Sequence, residues 1–185
     1  EGQKLEPPDF VRISHAAAMT LGLVGGRFFR DAVLRCANLL LTYDLGCVGR
    51  CAYCGLAKSR KLARAWMQYS FIRVDWPIFS LDEVAGRVRS NPLIERVCVS
   101  MVTHGKALED CLTVVRRLRD ETDSISALIT PTIVDHKWLC ELKRVGVGKI
   151  GIAVDAASPD LFDKLRGRGV GGPHRWEKYW QTVEE

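Results

Sequence analysis

The chain has 185 residues, room for one good-sized domain and hardly for two. Its 27 basic and 22 acidic residues leave a formal charge of +5, and 47% of residues are hydrophobic. That balance excludes a disordered charged tail, a collagen-like chain and a low-complexity linker, and no apolar run approaches the roughly 18 residues needed to cross a bilayer.

Residues 1–35 read as a helical extension. The run Ala16 to Gly26 imitates a signal-peptide core, but it lacks a small-x-small cleavage pattern and follows Glu1, Glu6 and Asp9. A buried helix is the better reading. The first residue is Glu, not Met, so a trimmed or internal piece is expected. Cys36 to Thr42 is a short continuous apolar run, as in a strand buried on both faces.

Beyond the cysteine-bearing loop that follows this strand, strands and helices alternate. Ser80 and Glu83 form a capping box ahead of Leu81, Val84 and Val88. Arg96 to Val102, Ile125 to Thr130 and Lys149 to Asp155 read as further strands, starting roughly one βαβ length apart. Between them Leu108, Cys111, Leu112, Val115 and Leu118 repeat at helical spacing, and Asp135 caps a helix carrying Leu139 and Leu142. Ser158-Pro159 opens another helix, with Phe162 and Leu165 inward and a stop at Gly167. A last helix from Pro173 puts Trp176, Trp180 and Val183 on one stripe. The expected fold class is α/β with right-handed crossovers: about four βα units over residues 36–185, a partial (β/α) barrel whose C-terminal part is missing. Such a piece has an exposed sheet edge.

Seven cysteines is an odd number, and three of them, Cys47, Cys51 and Cys54, fall within eight residues. This suits a reducing compartment, by default the cytoplasm, and one metal or redox site. Cys36, Cys98, Cys111 and Cys140 lie among apolar neighbours and read as packing residues. The loop Cys47-x3-Cys51-x2-Cys54 follows the carboxyl end of the first strand, where α/β folds place their chemistry. Three thiolates suit an iron-sulfur cube with one iron left open. A structural zinc needs a distant fourth ligand, and a thioredoxin-like pair leaves Cys47 unexplained.

The C-x3-C-x2-C spacing, with Tyr53 before the third cysteine, resembles the radical S-adenosylmethionine (SAM) superfamily. The resemblance implies a 4Fe-4S cluster on Cys47, Cys51 and Cys54, with SAM chelating the open iron. Reductive cleavage of SAM then gives a 5′-deoxyadenosyl radical that abstracts hydrogen from substrate. The reduced cluster carries a net charge of about −2, and positive potential stabilises it. Arg50, Lys58, Arg60, Lys61, Arg64 and Arg73 lie between Leu45 and Val74 with no acidic residue among them.

Further cofactor-binding positions follow from the resemblance. Tyr53 matches the aromatic near the adenine. The stretch Ser100 to His104 replaces the usual Gly-Gly-Glu, with Ser100, Thr103 and His104 as polar candidates. Asp155 matches a ribose-binding Asp, and Arg166 and Arg168 suit a carboxylate. His15, His136 and His174 read as capping or surface residues. The entry Tyr43-Asp44-Leu45-Gly46-Cys47 and the Asp155 turn look closest to the biotin synthase and lipoyl synthase-like branch, which inserts sulfur. The implied partners are a small-molecule or carrier-protein-bound substrate, an electron donor such as flavodoxin or ferredoxin, and a second subunit. A membrane partner is not expected. A zinc- or cluster-bearing nucleic-acid module is set lower, because a pI near 8.9 is mild and no binding motif is present. An inactive cluster-binding partner subunit is the remaining alternative.

Overall fold

The computed structural model describes residues 4–30, 32–58 and 76–185. Six strands form one sheet: β1 (Phe10–Ile13), β2 (Cys36–Leu40), β3 (Ile78–Ser80), β4 (Arg96–Ser100), β5 (Ile125–Ile129) and β6 (Val147–Ile152). Their order is β3-β1-β2-β4-β5-β6. From β2 to β6 the pairing is parallel, with Ala37 opposite Val97 and Val97 opposite Ile125. Helices α2 (Leu81–Ser90), α3 (Ala107–Arg119), α4 (His136–Arg144), α5 (Pro159–Leu165) and α6 (Trp176–Glu184) follow or link the strands, after a short α1 (His15–Thr20). This is the mixed α/β architecture of a partial β/α barrel.

Side chains alternate across a strand. One face of the sheet holds Ala37, Leu39, Val97, Val99 and Ala127, all fully buried, and α3 adds Cys111, Val114, Val115 and Leu118 to that core. On the other face, Asn38, Cys98, Ser126 and Lys149 stand in register and are only half-buried or exposed. The strands are therefore not sealed on both faces, as their apolar sequence suggests. The polar row lies on the face opposite the one that packs into the core.

The predicted caps form. Ser80 Oγ accepts from Glu83 N (3.3 Å), Asp135 Oδ1 from Trp138 N (3.0 Å) and Ser158 Oγ from Leu161 N (3.3 Å). Three details differ. The leading segment is not helical throughout, because β1 lies inside it and pairs antiparallel with both β2 and β3. Buried Arg12 on β1 is satisfied by Trp76 O (2.8 Å) and Thr42 Oγ1 (3.2 Å). Helix α6 turns Tyr179 and Thr182 inward and leaves Trp180 and Val183 exposed, since Tyr179 packs edge-on against Phe162 with ring centroids 5.0 Å apart. Cys140 is exposed on α4, with His136 Nε2 3.5 Å from its sulfur, so it is not a packing residue. Strand β6 ends the sheet with Gly148, Lys149 and Ile150 exposed. Among the described residues, no helix is long and apolar enough to cross a membrane.

Candidate functional site

The chain leaves β2 through a tight turn. Gly46 N donates to Tyr43 O (2.8 Å), and Gly46 has φ +74°, which places it in the left-handed region that favours glycine. A Cβ there would lie 3.1 Å from Leu56 O and from Lys58 Cα. The cysteine loop is then pinned at both ends. Cys47 N donates to Leu56 O (2.8 Å) and Lys58 N to Cys47 O (2.7 Å), while Ala52 N reaches Leu165 O at the end of α5 (2.8 Å).

The loop closes one side of a cleft at the carboxyl ends of the parallel strands. Cys47, Cys51, Tyr53 and Cys54 line it with Met101, Val102, Thr103, Leu128, Thr130, Asp155, Arg166 and His174. Cys47 Sγ accepts from two backbone amides, Gly49 N and Thr103 N, each at 3.3 Å. Thr103 is buried and braces the loop a second time, since Val48 N donates to its carbonyl (2.8 Å). Its hydroxyl lies 3.2 Å from Thr130 Oγ1.

Arg166 organises the opposite wall. It is buried, and its guanidinium donates to Val154 O (3.2 Å), Ala153 O, Asp155 Oδ2 (2.8 Å) and Tyr179 OH (3.0 Å). Burial pushes the Cys51 thiol up, and the positive charge of Arg166 opposes that rise. The Nε of Arg166 is buried without a partner, a donor left over for a bound acceptor. Tyr53 OH donates to Asp155 Oδ2 (2.8 Å). Asp155 holds a left-handed backbone, φ +56°, which Asp tolerates better than most residues.

Of the cofactor positions expected from sequence, the structure brings Tyr53, Thr103, Asp155 and Arg166 to the cleft beside the three cysteines. It does not bring the other three. Ser100 lies within β4, where its carbonyl accepts from Leu41 N (3.0 Å). His104 stacks on Tyr43, with centroids 3.8 Å apart, and its Nδ1 accepts from Lys106 N (3.2 Å). Arg168 is exposed in a 3-10 turn (Arg168–Val170). Of the basic residues, Arg60, Lys61, Arg64 and Arg73 lie outside the described residues; Arg50 reaches over Gly171 and Lys58 is exposed.

Comparison with protein families matches the Radical SAM superfamily over residues 44–185. The chain belongs to the radical SAM superfamily. No curated protein and no solved structure matches it significantly. The match starts at the turn into the cysteine loop and runs through the radical SAM core to α6, so it includes every residue of the cleft. A 4Fe-4S cluster and SAM are implied by membership of this enzyme superfamily.

Sequence reading missed His174, which is 2% exposed and lines the radical SAM cleft instead of the surface. Its Nδ1 lies 2.6 Å from Thr132 Oγ1 and 3.2 Å from Tyr179 OH. No local pattern marks it, because its burial comes from packing against the distant cysteine loop. Burial, with the nearby Arg166 and Arg175 charges, lowers its pKa to about 4. The unfolded chain therefore takes up a proton near pH 6.5 that the folded, metal-free protein refuses, and stability falls as the pH drops from about 6.5 towards 4. Between pH 7 and 4.5 the wild type is expected to lose about 2 kcal/mol more than His174→Gln, measured by urea unfolding. Parallel pH curves for the two proteins would refute this.

Proposed function

We propose that Cys47, Cys51 and Cys54 hold a 4Fe-4S cluster, with SAM bound beside it in the cleft. The observation that carries this reading is the donor set: three thiols around one cleft, amide donors on Cys47, and a buried cation beside Cys51. Among the described residues, no three His, Cys, Asp or Glu side chains converge as they would on a single ion. A zinc ion draws its sulfurs to about 2.3 Å from one point, whereas a cube spreads three thiolates over three irons. Three cysteines on one loop, with amide donors and a guanidinium beside them, are the donor set that a cube takes.

The bound group supplies reductive cleavage of SAM to a 5′-deoxyadenosyl radical that removes hydrogen from substrate. The chain does the rest. Arg166, with its unpartnered Nε, presents a fixed positive charge and a free donor to an anionic ligand. Asp155, oriented by Tyr53 and Arg166, accepts sugar hydroxyls. Met101, Val102 and Leu128 form an apolar wall that excludes water from a reactive radical.

Sulfur insertion of the biotin or lipoyl synthase type extends this proposal. It is supported by the Tyr43 to Cys47 entry and the Asp155 turn. A small-molecule or carrier-bound substrate, a flavodoxin or ferredoxin as electron donor, a second subunit and a cytoplasmic setting belong to the same reading. The test is anaerobic reconstitution with iron and sulfide, followed by electron paramagnetic resonance of the reduced protein with and without SAM. A cluster signal that shifts on adding SAM is expected. Uptake of zinc alone, or a cluster indifferent to SAM, would overturn the reading.

A further inference from the structure

We propose that His174 donates a hydrogen bond from Nε2 to the sulfur face of the cysteine loop at Cys47, and so sets the reduction potential of the cluster held there. The inference rests on the cluster reading above and concerns a residue outside the cysteine motif.

Two hydroxyls able to donate stand beside Nδ1 of His174. Arginine can only donate. Arg166 gives a hydrogen bond to Tyr179 OH (3.0 Å), so that hydroxyl has its own proton to pass on. Nδ1 of His174 stands 3.2 Å away to receive it, with Thr132 Oγ1 a second hydroxyl at 2.6 Å. With Nδ1 as the acceptor, which the proposal requires, the ring proton of a neutral imidazole sits on Nε2.

The position of Nε2 follows from Gly49. A Cβ at this residue would lie 2.9 Å from His174 Nε2 and 3.2 Å from Cys47 Sγ. Both atoms therefore face the same glycine-sized gap inside the first spacer of the cysteine motif. Any side chain at Gly49 would fill that gap and push the imidazole away from the sulfur. Cys47 already receives two amide donors, and in this proposal His174 supplies a third from its side chain. Donors to cluster sulfurs stabilise the more negative, reduced state and raise its potential.

The test compares wild type, His174→Leu, His174→Gln and Tyr179→Phe after anaerobic reconstitution. Iron and sulfide analysis establishes loading, and midpoint potentials are read by paramagnetic resonance during redox titration. His174→Leu is expected to shift the potential to more negative values at full loading. His174→Gln, which keeps an N–H donor, should recover part of the shift. Tyr179→Phe should move it in the same direction as Leu by releasing the tautomer, and covers the case in which the Leu variant does not fold. In the metal-free wild type, 15N resonances of the imidazole should report the Nε2–H form. Unchanged potentials in fully loaded variants, or an Nδ1–H tautomer, would overturn this proposal alone. A wild type that takes up no cluster would overturn it together with the reading on which it rests.

Discussion

Cys51→Ala is expected to lower the iron and sulfide retained after anaerobic reconstitution by more than about 10-fold, the loss that even outer-shell changes around a metal can cause. Cys51 is half-buried in the middle of the loop, next to Arg166. Among the described residues, no backbone hydrogen bond goes to its sulfur: Cys54 N donates to its carbonyl, not to its side chain. The variant should therefore keep the wild-type circular dichroism spectrum and lose only its hold on metal. Retention of the full cluster by a folded Cys51→Ala protein would show that the three cysteines do not act as one ligand set.

The second large effect is on stability. Arg166→Met keeps most of the aliphatic stem but leaves Ala153 O, Val154 O and Tyr179 OH without their donor. It also removes the guanidinium that stacks 5.0 Å from the centre of the Tyr179 ring. Asp155 is 41% exposed and can turn to water, so its ion pair contributes little of the loss. The stranded carbonyls dominate, and we expect about 3 kcal/mol less unfolding free energy in urea. Arg166→Lys should recover only part of it, because one ammonium cannot serve acceptors spread across a planar fork. A loss below about 1 kcal/mol for Arg166→Met, a value ordinary for surface changes, would contradict this account.

The parallel half of the sheet was readable because its strands and helices satisfy their patterns locally. Leu108, Cys111, Leu112, Val115 and Leu118 recur at helical spacing, and α3 buries all of them together with Ala107 and Val114. Strands β1 and β3 were not readable, being four and three residues long, and Arg12 interrupts the apolar pattern of β1. They exist through the pairing of β1 with both β2 and β3, which no local window contains. Within the site, the cysteine spacing and Asp155 carry their own signals, but the partners that fix them come from elsewhere in the chain. Arg166 looks in sequence like a favourable helix end, and only the fold places it between Cys51, Asp155 and Tyr179. His104 shows the reverse. It follows β4 on the functional side, yet stacking on Tyr43 takes it out of the cleft.

The two ends of the described sheet are unequal in what they offer a neighbouring strand. The β3 end offers three residues, too few to template much of a neighbour, whereas β6 offers six with Gly148 to Ile150 uncovered. Among the described residues, the β6 rim is therefore the end of the sheet at which a further strand can add through backbone hydrogen bonds, while the β3 rim holds too few.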